Sequence, residues 1–327
     1  MPDKKYIPEM QLARGIGILL VTFGHSIPLD DAYPSVFNFI YSFHMPLFFF
    51  LSGFFAHKII KINSLSEWFE SIRKNTFKFI VPYFIISLSF ALIKYFIPHM
   101  VKRPILWHDI FYIITIYPLR NPALFLWFLY LIIIMRIITP LFSKINPLLF
   151  FIFLLIFQCF PVEWEVFGVS WLLNYLIYYF IGIQAARRKE LFFDIMRKGW
   201  LTIIFLILFI ASYTFLHYIK YPFLKFFTAS SGTFFVISLC FSYKKILPKG
   251  ILETLGSYSL QIYLLQYFFI FPLAHILKKI EINDEFIIMA TFLAGLVFPF
   301  LITRYIFPKS KILSLSYGGI DRFNKIS

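Results

Sequence analysis

Long apolar runs alternate with short polar segments along the whole chain. A run of roughly 17 to 25 apolar residues is what a helix needs to cross about 30 Å of hydrocarbon. Ten runs of about this length cover approximately 9–27, 36–56, 78–98, 122–142, 146–161, 168–186, 199–218, 226–243, 257–277 and 286–307. Residue-by-residue alternation, the pattern of strands, is absent. The pattern predicts an all-α polytopic membrane bundle of about ten transmembrane helices, built as a single domain over 1–327.

Two further segments are predicted to lie at the membrane surface. The stretch 104–118 is apolar but short, and we expect an interfacial or re-entrant helix there. The segment 67–78 reads as an amphipathic, basic loop that contains Arg73 and Lys74 and precedes Val81-Pro82-Tyr83. Such a segment is typical of an inner membrane surface.

The positions of lysine and arginine predict the orientation. With the N-terminus in the cytoplasm, 20 of the 31 basic residues fall in inner segments, 7 in outer segments and 4 within spans. Cytoplasmic loops carry the excess of positive charge in membrane proteins. Both termini are therefore predicted to be cytoplasmic.

Composition agrees with this pattern and excludes other classes. Apolar residues make up 60% of the chain and charged residues 14%, whereas soluble domains carry about 25% charged residues. Two cysteines cannot form a disulfide scaffold. The net charge of +15 follows from topology and contact with anionic lipid, so no nucleic-acid partner is expected.

The first span carries two ionisable residues, Arg14 and His25, where such residues are costly. They are 11 residues apart, close to three helical turns, so both point to one face and lie roughly 16 Å apart along the axis. Each could be an ordinary interfacial residue by itself. Small neighbours, among them Gly15, Gly17 and Gly24, permit close helix packing or close approach of a ligand.

Two other spans carry polar groups. His44 lies at a depth near that of His25, followed by Pro46 and by Ser52. A buried histidine bonded within the bundle is the alternative to a reactive one. Tyr263 and Gln266 lie on one polar stripe of the ninth span, which either joins helices or faces a substrate.

Several cations lie near the predicted inner surface. Arg136 and Arg304 occupy the inner ends of their spans, where long side chains snorkel toward water. Together with Arg14, Arg73 and Lys74 they could also hold an anionic cytosolic ligand. The sequence contains no nucleotide-binding glycine motif and no cysteine–histidine metal spacing, so no metal is expected.

These residues resemble a known family. Arg14 and His25, followed by the run from Phe43 to Gly53 that contains His44-Met45-Pro46, resemble the acyltransferase-3 family of integral membrane O-acyltransferases. The likeness is greatest to its fucose-4-O-acetylase and exopolysaccharide-modification branch. The segments Leu126-Trp127-Phe128-Leu129, Tyr179-Phe180-Ile181-Gly182 and Gly256 to Gln266 follow in the same order. The resemblance covers nearly the whole chain. Many relatives have histidine where this chain has Gln266.

The resemblance implies transfer of an acyl group, usually acetyl, from cytosolic acyl-CoA to a hydroxyl of a surface carbohydrate or its lipid-linked precursor. It implies a multi-pass protein of the bacterial inner membrane, with acetyl-CoA as a substrate and no permanently bound cofactor. Its functional pair corresponds to Arg14 and His25. The acceptor sugar, the acyl chain and the oligomeric state are left open.

These roles give a set of expected site residues. His25 is the general base or transient acyl carrier, with Arg14 and His44 beside it in catalysis. The phosphates of CoA are assigned to Arg14, Arg73, Lys74, Arg136 and Arg304. The residues expected to line the substrate path are Ser52, Trp127, Tyr263 and Gln266.

Two other functions are weighed against the enzyme. A transporter or flippase for a glycan or lipid-linked sugar would use His25 and His44 as a proton relay. Such carriers usually place carboxylates deep in their spans, and none is seen here. A scaffold subunit would leave the shared face of Arg14 and His25 unexplained.

Overall fold

The fold is known from a computed structural model, which describes residues 6–27, 34–57, 64–97, 105–219 and 221–310. These residues contain helices and no strand. The α-helices in chain order are α1 (Pro8–Ser26), α2 (Pro34–Tyr41), α3 (His44–Ala56), α4 (Leu65–Ser71), α5 (Phe77–Phe96), α6 (Ile110–Thr115), α7 (Trp127–Ile138), α8 (Pro147–Cys159), α9 (Val169–Arg187), α10 (Lys189–Met196), α11 (Gly199–Tyr218), α12 (Pro222–Ser242), α13 (Lys249–Ser257), α14 (Ser259–Leu265), α15 (Tyr267–Lys279) and α16 (Asp284–Leu301). The predicted all-α class is confirmed.

Helices of membrane-spanning length recur along the described chain. Seven helical stretches of the described chain are long and apolar enough to cross a membrane: Pro34–Ala56, Leu65–Phe96, Leu124–Phe142, Val166–Arg187, Gly199–Leu216, Pro222–Ser242 and Asp284–Lys309. α14 and α15 meet at a 43° bend and make an eighth if they form one span. The chain is therefore a multi-pass membrane protein by the length and composition of its helices.

Two of the ten predicted spans fall short of that test. α1 is 19 residues long but carries Glu9, Arg14 and His25, which lower its mean hydropathy. α8 has only 13 residues between Asn146, whose side chain caps it, and Phe160. Both are helical as predicted.

The structure differs from the sequence prediction at three places. The second span is divided at Ser42 and Phe43, which separate α2 from α3. The predicted loop 67–78 is helical, because α4 continues through a π-helix, Ile72–Thr76, into α5. The stretch after residue 104 forms a 3₁₀ turn, Trp107–Asp109, and the six-residue α6.

The orientation of the termini stays a prediction. Several of the basic residues that carry it, among them Lys58, Lys61, Lys102 and Arg103, lie outside the described residues. Whether the chain functions as the predicted single domain is likewise open to experiment. Contacts divide it into two compact units: the first contains the described residues up to 54 and 181–306, and the second contains 55–180 and 307–310.

In the first unit, two glycines bring the backbones of α1 and α13 into contact. A Cβ at Gly15 would overlap the carbonyl group of Leu252, and a Cβ at Gly256 would overlap the carbonyl group of Gln11. Close approach of two helix backbones requires residues without side chains at the crossing. This contact fixes α1 against α13.

In the second unit, a buried amide joins α5 to the segment before α7. Asn121 Nδ2 donates to Tyr83 Oη at 3.0 Å and to Ser87 Oγ at 2.9 Å. Its Oδ1 accepts from the Ala123 amide at 2.8 Å, and Tyr83 Oη donates to the carbonyl of Ile114 at 2.6 Å. Each polar side-chain atom of Asn121 is thus paired, as an apolar interior requires.

We predict that Gly256→Ala destabilises the protein while Gly250→Ala does not. Both glycines lie in α13, so the gain in helix propensity from alanine is the same, about 1 kcal/mol. A Cβ at Gly250 meets nothing within 4 Å, whereas at Gly256 it strikes the backbone of α1. Overpacking should cost Gly256→Ala about 1–3 kcal/mol or more. Thermal unfolding of the purified variants in detergent measures this, and equal midpoints for the two variants would contradict it.

Candidate active site

His25 occupies the last turn of α1, in the first unit. α1 begins with Pro8 at its first turn, where a missing amide proton costs nothing, and it ends at Ser26. The His25 ring lies against the ring of Tyr267, with centroids 4.6 Å apart and planes tilted by 35°. Its Nδ1 atom is buried and has no hydrogen-bond partner among the described residues. One ring nitrogen is therefore available for chemistry.

His44 begins α3, immediately after the break in the second span. It is 1% exposed, and its ring meets that of Tyr41 edge to face at 4.5 Å. Its Nδ1 lies 2.8 Å from the carbonyl oxygen of Ile40. A carbonyl only accepts, so Nδ1 carries the proton, and in the neutral ring Nε2 holds a free electron pair. Pro46 falls in the first turn of α3, where proline is tolerated.

Gln266 occupies the bend between α14 and α15. It is fully buried, and its Nε2 donates to the carbonyl of Tyr263 at 3.2 Å. Its amide is also a hydrogen-bonding neighbour of His25, and His44 is close enough to His25 to interact with it electrostatically. The structure thus brings His25, His44 and Gln266 together from three separate parts of the sequence.

This cluster holds three of the eight buried side-chain atoms that lack a hydrogen-bond partner in the described residues. His25 Nδ1, Gln266 Oε1 and the hydroxyl oxygen of Thr22 are all buried without a partner among the described residues. Thr22 is itself fully buried, one helical turn before His25. Buried polar atoms are almost always paired, and exceptions concentrate at functional sites. The cluster is therefore the candidate active site.

Arg14 lies on the same helix as His25 and is half-buried. The predicted axial distance of roughly 16 Å holds, because α1 is continuous between the two residues. The small neighbours serve helix packing: besides Gly15 against α13, Gly17 faces the Phe48 ring and Gly24 faces Tyr41.

Two polar contacts surround the beginning of α1. Glu9 Oε1 accepts from Lys244 Nζ at 2.7 Å, with the Glu9 side chain 9% exposed. Tyr6 donates to Glu253 Oε2 at 2.7 Å, and partial burial together with this bond raises the pKa of Tyr6. These pairs fix charge at the same end of α1 as Arg14.

The remaining predicted residues of the first unit lie at varied depths. Ser52 is half-buried in α3, two turns beyond His44. Tyr263 is 7% exposed in α14, one turn before Gln266. Arg304 is exposed in a π-helix, Ile302–Ile306, and its guanidinium lies over the rings of Phe300 and Tyr305. An exposed arginine on aromatic rings matches the snorkelling interpretation.

The other predicted residues belong to the second unit. Arg73 and Lys74 are exposed in the π-helix after α4, and Lys74 Nζ pairs with Glu70 Oε1 at 2.5 Å. Arg136 is buried in the last turn of α7. Trp127 lies at the start of α7, and its ring centroid is 4.3 Å from that of Trp171.

Sequence reasoning missed three neighbours of the cluster, namely Thr22, Tyr41 and Tyr267. Thr22 could have been found, since it precedes His25 by three residues on the same helix face. Tyr41 and Tyr267 lie beside helix breaks, at Ser42–Phe43 and at Gln266. No periodic pattern marks a residue at a break, so these two carried no signal.

One comparison with known proteins decides the family. The sequence model of a family described as an acyltransferase domain, Acyl_transf_3, matches residues 7–305. The chain belongs to the acyltransferase-3 family. No curated protein and no solved structure matches it. This acyltransferase is therefore a membrane enzyme by family and fold, and its branch within the family stays a prediction.

We predict that Thr22→Val leaves stability unchanged or higher, while Thr291→Val lowers it. Both hydroxyls are fully buried in the first unit, and the Thr291 hydroxyl donates to the Ile287 carbonyl at 2.7 Å. Removing an unpaired hydroxyl relieves a desolvation cost, whereas removing a bonded one forfeits about 1 kcal/mol. Thermal unfolding of both variants in detergent tests this. Equal losses would mean that the Thr22 hydroxyl is paired in the working protein.

Proposed function

We propose that this acyltransferase moves an acetyl group from cytosolic acetyl-CoA to a hydroxyl of a cell-surface glycan or its lipid-linked precursor. The observation that carries the proposal is the cluster of His25, His44 and Gln266, with its unpaired buried polar atoms, in a chain of the acyltransferase-3 family. Location in a bacterial inner membrane belongs to the same proposal and follows from the resemblance to exopolysaccharide-modifying relatives.

His25 is the proposed general base. The proton of the acceptor hydroxyl passes to a ring nitrogen of His25 while the oxygen attacks the thioester carbon. The carbon–sulfur bond breaks, and the CoA thiolate takes up the proton from His25. If His25 instead carries the acyl group briefly, its ring nitrogen attacks the thioester carbon, and CoA leaves as the thiol with the proton of the ring. The acceptor oxygen then displaces the ring nitrogen, and the imidazole takes up the proton of the acceptor hydroxyl. An imidazole supports either route at neutral pH.

We assign His44 to bind the acceptor hydroxyl. This is a more specific role than the catalytic role that the sequence predicts for it. Nδ1 of His44 carries the ring proton and donates a hydrogen bond to the Ile40 carbonyl. The unprotonated Nε2 can therefore accept a hydrogen bond but cannot donate one. A developing oxyanion needs donors, so a neutral His44 in this tautomer is unsuited to stabilise it. An incoming hydroxyl, which donates its proton, is a suitable partner.

Gln266 is assigned to hold the His25 ring. Its carboxamide is anchored by the bond to the Tyr263 carbonyl and lies beside His25. Glutamine does not take up a proton at physiological pH, so its contribution is to orientation. A histidine at this position in relatives could add proton transfer, which this chain forgoes.

Arg14 is assigned to the phosphates of CoA. A half-buried guanidinium pairs well with phosphate, and the roughly 16 Å between Arg14 and His25 suits a donor whose charged end and thioester are far apart. Arg73, Lys74 and Arg304 remain candidates for further phosphate contacts. Lys74 already pairs with Glu70, which makes it the weakest of the three.

We predict that His25→Ala abolishes transfer and that Arg14→Ala weakens use of the donor. Loss of a general base lowers kcat by about 100-fold or more. Loss of one phosphate contact should raise KM for acetyl-CoA by about tenfold with a smaller change in kcat. Acetyl transfer from labelled acetyl-CoA to glycan in membrane vesicles measures both, with the amount of folded protein as control. Full activity of a well-folded His25→Ala variant would refute the mechanism.

We predict different outcomes for His44→Asn and His44→Gln. The asparagine amide replaces the Nδ1 donor to Ile40, so that variant should fold normally, yet it offers no acceptor at the position of Nε2. Transfer should fall about tenfold or more. Glutamine reaches the position of Nε2, so His44→Gln should retain more activity at lower stability.

Mass spectrometry of the surface glycan from cells that carry each His44 variant gives the extent of acetylation. Thermal unfolding of the same variants reports whether the bond to Ile40 survives. A fully active His44→Asn enzyme would show that the Nε2 electron pair is not used.

A further inference from the structure

The second unit contains a buried arginine. Arg136 is 8% exposed and is the one described arginine that is buried. Its guanidinium carbon lies 4.8 Å from the centroid of the Phe79 ring, and Nη1 reaches the carbonyl oxygen of Asn75 at 3.4 Å. A charge removed from water costs several kcal/mol unless strong partners replace the water.

The contacts of Arg136 in the described chain do not replace the water that its guanidinium loses on burial. The Nε atom of Arg136 is buried and bonds to nothing in the described chain. A guanidinium offers five N–H groups, and within the described residues a single long bond to a backbone carbonyl uses one of them. No carboxylate is among its contacts in the described residues, unlike Arg120 with Glu165 and Arg197 with Asp194.

Capping of its own helix does not explain Arg136. Arginines in a last turn often bond the free carbonyls there. In α7 the carbonyl of Ile137 already accepts from Trp68 Nε1 at 2.9 Å. The carbonyl of Met135 already accepts from the Thr139 hydroxyl at 2.6 Å. The one hydrogen bond of the guanidinium in the described residues goes to Asn75, outside α7.

A second cation lies close by. Lys78 Nζ is 5.2 Å from the centroid of the same Phe79 ring, so the two charges are at most about 10 Å apart, a distance over which they repel each other. The Asn75 carbonyl belongs to the π-helix Ile72–Thr76, and π-helical turns are frequent at functional sites. Two positive charges therefore lie near this one ring.

We propose that Arg136 binds a phosphate group. The unpaired Nε belongs to the edge of the guanidinium that makes paired bonds to phosphate oxygens. The phosphate comes either from CoA, in which case the site rests on the proposed function, or from the headgroup of an anionic phospholipid, in which case it does not.

The test compares Arg136→Gln with the wild type in two binding assays. Full-length protein in phosphatidylcholine nanodiscs is titrated with acetyl-CoA and, separately, with S-acetyl-pantetheine, which lacks phosphate. Protein extracted from membranes that contain phosphatidylglycerol is examined by native mass spectrometry for retained lipid. Arg136→Gln should weaken one phosphate-bearing probe by about 10- to 100-fold, as expected for a lost charge-assisted bond, and leave acetyl-pantetheine unchanged.

Two further variants keep the result interpretable. Arg197→Gln removes an exposed arginine that pairs with Asp194 and should behave as the wild type. If Arg136→Gln does not fold, Arg136→Lys keeps the positive charge but lacks the planar guanidinium with its paired N–H groups. Its affinity for the phosphate-bearing probe should still fall about threefold or more. A loss with acetyl-CoA identifies the donor, and a loss only with phosphatidylglycerol identifies the lipid.

The proposal is overturned if folded Arg136 variants bind both probes as the wild type does. A wild-type protein that does not bind acetyl-CoA would instead count against the proposed function. The phosphatidylglycerol assay would then decide the fate of the Arg136 site by itself.

Discussion

Hydrocarbon offers a polar side chain no hydrogen-bond partner, so each polar group within these helices must bond inside the protein. Many of the described serines and threonines solve this locally, by donating to a carbonyl one turn earlier. Such bonds are made by Ser89, Thr228, Ser231, Thr254 and Thr303. Local pairing makes these residues uninformative about function. It also gives meaning to the buried groups that lack such a partner in the described residues. Three of them belong to the His25 cluster and one is Arg136, and the others are Gln11, Gln184, Ser230 and Thr233.

The same constraint explains how much of the site could be predicted from the sequence. Arg14 and His25 were visible because charged groups are rare in an apolar helix, and helical periodicity alone places both on one face. The depth of His44 followed from counting residues along its span. None of these arguments requires knowledge of which helices are neighbours. All-α architecture and the helical nature of the ten apolar runs were accessible for the same reason.

What could not be predicted depends on tertiary contacts and helix breaks. The approach of Gln266 to His25 joins α1 to the bend between α14 and α15, and no pattern in either segment specifies that pairing. The hydrogen bond that fixes the His44 tautomer exists only because α2 ends before α3 begins. The segment 67–78 looked like a loop because of its charges, yet its lysine and glutamate are spaced as a helical pair. Polarity was mistaken there for irregular structure.

The glycine contacts between α1 and α13 have a mechanical consequence. Where two helices touch backbone to backbone, no side chains lie between them that could change rotamer and let one slide or turn. Arg14 lies at this contact, and the continuous helix α1 holds His25 at a fixed axial distance from it. The helix breaks at Ser42–Phe43 and at Gln266 directly follow α2 and α14, and both of these helices contact α1. We expect the motion that admits or releases a substrate to occur at these breaks. The distance between Arg14 and His25 would then stay constant while the neighbouring helices move.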